Sequence, residues 1–323
     1  MKNEHITIVN KTDSDKRGFK RKTIIQNIKY KVRGWLESIT DETLRKEIQG
    51  DYILTGGALA SMLMGDLPND YDIYMQTPEI ATKLVGYYIS KLNKSDKVSE
   101  IEARLQTIDG YPKINIVIKS SGVATSADDN QEGYEYFEMT NGDNIEAFLD
   151  KDALKTKDKF APVMITSNAI SLNNDIQIIT RFIGPAAEIH KNYDFVHVTN
   201  YYTEKEGLVL NQDALESIMC KELRYVGSLY PICSMFRIKK FIKRGWTITA
   251  GEMLKIAWDI NKLNLDDMNV FYDQLTGVDA AYFSQIISIL KEDSKEKLER
   301  TYLFELINRI FDKEDEGDNT SND

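Results

Sequence analysis

Asp70 and Asp72, one residue apart in Asp70-Tyr71-Asp72-Ile73-Tyr74, follow a Gly56-Gly57 pair after a spacer of helical length. On an extended strand alternate residues share a face, so the two carboxylates project together while Tyr71 and Ile73 point into a packed layer. Two hard oxygen donors on one face suit a divalent cation, Mg²⁺ or Mn²⁺. That pairing serves phosphoryl chemistry, because a nucleoside triphosphate is polyanionic and a metal held there places it and absorbs charge on the leaving pyrophosphate. The glycines fit the same chemistry. Asp51 to Thr55 reads as a short strand and Ala58 to Met64 as a helix, and a glycine pair at that junction lets phosphate oxygens approach backbone N–H groups at the helix start.

The order strand, Gly-Gly, helix, Asp-X-Asp strand is much more specific than a lone Asp-X-Asp. Leu54 to Gly57, the spacer Ala58 to Asn69, and Asp70 to Ile73 resemble the signature of the DNA polymerase β-like nucleotidyltransferase superfamily. The resemblance implies an α+β fold: a mixed or antiparallel nucleotidyltransferase sheet with flanking helices, followed by a helical C-terminal domain. One departure bears on the phosphate contact. The superfamily often carries Ser where Gly57 stands, and Thr55 or Ser61 would have to supply the missing hydroxyl. A phosphatase reading, with Asp70 as a nucleophile at the end of a buried parallel strand, is disfavoured by the turn Leu67-Pro68-Asn69, since Pro cannot donate to a ladder.

Two-metal enzymes of this superfamily usually use a third acid, and Asp194 is the candidate. Met164 to Leu172 and Ile176 to Phe182 have strand character around the turn Asn173-Asn174-Asp175, which reads as a hairpin. Ala186 to His190 suggests a short helix, and Tyr193 to Val198 a returning strand in which an Asp is out of place unless it has a role. On a regular strand Asp194 and His197 face opposite sides, so His197 is expected to be packed and hydrogen-bonded rather than a ligand. His190 is read as a surface residue. Residues 165–172, 177–184, 192–197, 201–202, 223–232 and 237–246 also resemble a group of bacteriophage-encoded nucleotidyltransferase-like proteins. That resemblance implies Asp70, Asp72 and Asp194 as the catalytic and metal-binding acids.

The elements that must position these residues follow from periodicity. Residues 1–50 read as a flexible polar arm and an N-terminal helix over Thr23 to Ile48, residues 51–206 as the catalytic domain, 207–311 as a helical domain and 312–323 as a disordered acidic tail. Within the catalytic part, Ile80 to Leu92 reads as a helix, Lys113 to Ile118 as a strand and Ser120 to Glu132 as a mobile loop. Beyond Asn211, helices are expected over Gln212 to Tyr225, Pro231 to Arg244, Ala250 to Leu263 and Ala280 to Lys291. If the first of these runs on through Gly227, Lys221, Arg224 and Ser228 share one face, which in this superfamily borders the triphosphate. Gly56, Gly57, Thr55, Ser61, Lys221, Arg224 and Ser228 are therefore the expected nucleotide contacts.

The chain carries 51 acidic against 41 basic residues, a net charge of −10, which disfavours nucleic acid on average. The average conceals a basic stretch: Lys221, Arg224, Arg237, Lys239, Lys240, Lys243, Arg244, Lys255 and Lys262 outnumber the acids around them, a footprint for triphosphate or RNA backbone or else a solvated helix face. No apolar run is long enough to span a membrane, the first residues lack a signal-peptide core, and Cys220 and Cys233 have no companions at zinc spacing. These features predict a cytoplasmic protein, in the host cytoplasm if phage-encoded, with no obligate protein partner evident. The leading expectation is a Mg²⁺- or Mn²⁺-dependent nucleotidyltransferase that moves a nucleoside monophosphate from a triphosphate to a hydroxyl. The basic stretch favours an RNA 3′ end such as that of tRNA, although the Glu-Asp-X-X-Arg template motif of bacterial-type CCA-adding enzymes is absent. A small-molecule or protein hydroxyl is the second acceptor class, and a non-catalytic nucleotide- or RNA-binding module on the same fold is the alternative of a different kind.

Overall fold

Ile24, Ile28, Val32 and Trp35 recur at helical spacing, and all four are buried along one face of α1 (Arg21–Ser38). The computed structural model describes residues 17–92, 100–108, 111–119, 159–165 and 168–265, with single positions at 267, 270, 274, 305 and 308. Most of the polar arm, the loop over 120–132, the helix expected over 280–291 and the acidic tail lie outside the described residues.

The single helix expected over Thr23 to Ile48 is two. Asp41 ends the first run by capping α2 (Glu42–Asp51), its carboxylate accepting from the N–H groups of Thr43 and Leu44. A short strand β1 (Tyr52–Thr55) leads into α3 (Gly57–Met64), and β2 (Tyr71–Met75) returns beside it. Asp51 then fastens the far end of β2: its carboxylate accepts from the N–H groups of Gln76 and Thr77, each at 3.0 Å, where α4 (Pro78–Leu92) begins. The strands β3 (Glu100–Ile108) and β4 (Tyr111–Lys119) form a separate antiparallel ladder.

The main sheet has seven strands. After β5 (Pro162–Ile165), β6 (Ala169–Leu172) and β7 (Ile176–Ile179) come α5 (Ala186–His190), β8 (Tyr201–Thr203) and β9 (Gly207–Val209), giving the spatial order β5-β6-β7-β2-β1-β8-β9. Every pairing is antiparallel except β2 with β7. The β6–β7 hairpin turns at Asn174 and Asp175 with φ of 61° and 57°, a left-handed conformation that Asn and Asp tolerate better than most side chains. The molecule is thus α+β, with a mostly antiparallel sheet and flanking helices.

The helical region that follows is α6 (Gln212–Cys220), α7 (Pro231–Lys243) and α8 (Ala250–Ile260), with β10 (Glu222–Leu223) and β11 (Thr247–Ile248) paired in parallel between them. It does not stand apart. β9 lies past residue 206 yet belongs to the main sheet, and Ile218, Leu223, Tyr225, Ile238, Trp246 and Ile256 share one continuous core with Leu54, Ile73 and Trp35. No helix among the described residues is long and apolar enough to cross a membrane.

Candidate active site

Strand alternation sets the acidic pair. Tyr71 and Ile73 are buried on the core side of β2, whereas Asp70 is exposed and Asp72 keeps partial access to solvent. Burial, and then the negative charge of Asp70, push Asp72 up to about 7, with Arg237 pulling the other way. A buried carboxylate raised by a neighbouring carboxylate is a site that positive charge would stabilise.

Gly56 shapes the opposite wall. It is the N-cap of α3 with φ 98°, and a Cβ built there would stand 2.7 Å from Asp72 Oδ2. Only glycine lets the backbone pass this close to the carboxylate in that conformation. Gly57 differs: it is exposed at the first turn of α3, and a Cβ there would meet nothing within 4 Å. No side chain caps the start of α3, so its first N–H groups point out of the helix beside Asp72.

Residues 194–200 run along the site. Val198 carbonyl accepts from Gly56 N–H at 3.2 Å and Asn200 carbonyl from Thr55 Oγ1 at 2.8 Å. Thr55 is wholly buried and also bonded to His190 Nε2 at 2.9 Å, so its hydroxyl is occupied in the fold and does not stand in for a serine. Ser61 sits one turn into α3, partly buried.

Asp194 falls in a turn, and Phe195 forms only an isolated bridge to Tyr225; residues 196–198 are a 3-10 turn, so the strand expected over Tyr193 to Val198 is absent. The reason is tertiary. Val196 N–H donates to Arg224 carbonyl and Val226 N–H to Asp194 carbonyl, pinning 194–196 against 224–226. Asp194 is buried, and its Oδ2 accepts a 2.6 Å charge-assisted hydrogen bond from Arg237 Nη1. Among the described residues no group of three His, Cys, Asp or Glu side chains could hold a metal ion, so the expected three-acid cluster is not assembled. Asp194 and Asp72 are linked through Arg237, which is hydrogen-bonded to the first and whose charge draws the second down. His197 is packed as expected, against Phe241 and Trp246, but neither ring nitrogen has a hydrogen-bond partner.

The helix expected to carry Lys221, Arg224 and Ser228 stops at Cys220. Lys221 is left-handed (φ 49°, ψ 45°) and closes the helix as its C-cap, so the three residues share no helical face. Arg224 pairs with Glu216 and Glu222, and Ser228 Oγ accepts from Tyr230 N–H. Several cations of the basic stretch have acidic partners too, Lys255 with Glu252 and Lys262 with Asp259. Arg237 was expected only as one basic residue of a stretch that could meet triphosphate or RNA; packing singles it out by bonding it to Asp194, with its charge felt at Asp72.

The acidic pair fits a divalent cation. Mg²⁺ characteristically takes one or two carboxylates and completes its shell with water and substrate phosphate, and Asp70 with Asp72 supplies that donor set against the glycine wall.

The family described as Gad2: Gabija anti-defense 2 family protein matches residues 26–221. No curated protein matches the sequence. Among solved structures, the chain is similar to the CCA-adding enzyme of Thermotoga maritima complexed with tRNA, at 10% identity and a TM-score of 0.37 over 86% of this chain and 53% of that one. It is likewise similar to the Bacillus stearothermophilus CCA-adding enzyme in complex with CTP, at 14% identity and 0.36 over 80% and 51%. The chain thus spans about half the length of these two enzymes.

Proposed function

The chain belongs to the Gabija anti-defense 2 family, and from that premise we propose that it is a metal-dependent nucleotidyltransferase whose transfer reaction serves an anti-defense role. The observation that carries this reading is Asp72, packed close against Gly56 and held toward its neutral form by burial and by Asp70 until a cation arrives. In the reaction, the acceptor hydroxyl oxygen forms a bond to the α-phosphorus, the bond to the β-phosphate oxygen breaks, and pyrophosphate leaves. Mg²⁺ or Mn²⁺ at Asp70 and Asp72 would supply charge neutralisation on the phosphates. Gly56 leaves room for the carboxylate, the uncapped N–H groups of α3 face the phosphates, and a carboxylate of the pair takes the hydroxyl proton.

An RNA 3′ end is the acceptor this surface favours. A groove of about 350 Å³ lies among Tyr225, Val226, Gly227, Lys255, Trp258 and Asp259, and Val226 is bonded to Asp194. Trp258 is 68% exposed there and offers an indole face on which a base can stack, next to a lysine. The pairing of Asp194 with Arg237, in place of a third metal ligand, favours a second reading: a nucleotide-binding module without transfer activity. Incubation with each α-labelled triphosphate, Mn²⁺ and either total RNA or protein extract separates the two. Label in RNA that is lost in Asp70→Asn and Asp72→Asn supports transfer, label in protein moves the acceptor, and binding without label in any acceptor leaves the module.

A further inference from the structure

The ion pair between Asp194 and Arg237 is asymmetric in a way that points to a ligand. Asp194 has 8% of its side-chain surface open and Arg237 has 46%, so it is the arginine side chain and not the carboxylate that solvent reaches. Asp194 is also fixed by its backbone, whose carbonyl accepts from Val226 N–H at 2.9 Å. Arg237 instead hangs from α7 by a long, flexible side chain, and it acts electrostatically on Asp72 as well as on Asp194. The partner that solvent reaches is therefore the cation, and its charge is felt at Asp72, one of the two acids that would hold the metal of a triphosphate.

We propose that Arg237 is the triphosphate-binding cation of the site, and that Asp194 is an internal anion that occupies it until the triphosphate arrives. The inference rests on the nucleotidyltransferase reading for the place of the triphosphate, and adds which residue receives it and what the ligand displaces. A guanidinium presents a planar fork of donors that suits phosphate oxygens as well as it suits a carboxylate, so the exchange keeps Arg237 bonded throughout. The start of α7 is held in place by Arg181, whose guanidinium lies 4.2 Å from the ring centroid of Tyr230, the N-cap of that helix. Arg224, the other arginine expected at the phosphate, is engaged by Glu216 and Glu222.

An internal competitor has a signature that an ordinary structural ion pair lacks. Removing its charge tightens ligand binding, while removing the cation weakens it. Calorimetric titration of inorganic tripolyphosphate into the full chain, in chelator-containing buffer, reads this directly, with melting temperatures recorded for each variant. Asp194→Asn is expected to bind about tenfold more tightly than the wild type, since a charge-assisted hydrogen bond no longer competes. Arg237→Gln is expected to bind about tenfold more weakly, and the double variant to behave like Arg237→Gln. A pair that serves only the fold would lower both melting temperatures and tighten neither variant, and that result, or unchanged affinity in Asp194→Asn, overturns the proposal. The two readings fail separately: unchanged affinities with intact transfer sink the role of Arg237 alone, whereas opposite shifts in affinity without transfer sink the enzyme and leave the phosphate site standing.

Discussion

Gly56 and Gly57 are adjacent and chemically identical, yet they should respond in opposite ways to a methyl group. At Gly56 the new Cβ would lie 2.7 Å from Asp72 Oδ2, while an ordinary contact needs about 3.4 Å, so one group must move by several tenths of an ångström. The φ of 98° with ψ −155° is a conformation essentially reserved for glycine and adds about 1–3 kcal/mol of backbone strain for an L side chain. Gly56→Ala should therefore lower stability by roughly 2 kcal/mol, with most of the strain passed to the carboxylate. Metal sites tolerate displacements of about 0.2 Å in ligand distance, and misplacement of a reacting group by about 1 Å costs on the order of a hundredfold in rate. Transfer should fall by that order with little change in KM for the acceptor. Gly57→Ser meets open space and no unusual φ, and should leave the melting temperature and kcat within about twofold, or raise stability slightly through helix propensity. Thermal melts with single-turnover labelling compare the pair. Normal turnover in Gly56→Ala, or equal damage from both substitutions, would refute the geometry assigned to Asp72.

His197 is buried with both ring nitrogens unpartnered, and burial holds it down at about 4, so the unfolded chain takes up a proton first as pH falls. Its contribution is intact above about pH 6.5 and is lost toward pH 4, by roughly 3 kcal/mol at most, and His197→Phe should flatten that acid limb and raise stability at neutral pH in pH-resolved denaturant melts. Asp72→Asn should raise the melting temperature of the metal-free protein at pH 8, because the burial and like charge that push Asp72 upward are relieved, yet abolish the rise that Mn²⁺ gives the wild type. At 100 times its Kd, that metal-dependent rise in the wild type corresponds to about 2.7 kcal/mol. Asp41→Ala should cost about 1 kcal/mol in urea melts through loss of the α2 cap, with transfer unaffected.

The strand, glycine turn, helix and Asp-X-Asp strand were legible because each is a local signal: β1, α3 and β2 follow from alternation, glycine and spacing within twenty-odd residues. The break at Asp41 was legible in principle, as an Asp one turn before an apolar run, but helical periodicity continued across it. Residues 193–198 and 221–228 were misread together, and for one reason. Each segment looks like regular structure by itself, and each gives that up to bond with the other, Val196 to Arg224 and Val226 to Asp194. No local pattern announces such an exchange. The partner of Asp194 was hidden in the same way, since Arg237 is 43 residues away and is one of several cations in its helix.

The placement of β2 beside β7 has a consequence for how the protein comes into being. β2 can pair with β1 as soon as both are made, but Asp72 is opposite Gln177 and Gly56 is bonded to Val198, so the other edge of β2 and the glycine turn gain their partners only when chain more than a hundred residues downstream has left the ribosome. Pairings so distant are entropically expensive to close and slow to form. A nascent chain that ends before β7 holds both aspartates and both glycines with β2 fastened on its β1 side alone, and would spend synthesis with the other strand edge open to chaperones and proteases. Chemistry here begins late in the life of the polypeptide, and a fragment ending ahead of residue 176 should be inert however faithfully it carries the motif.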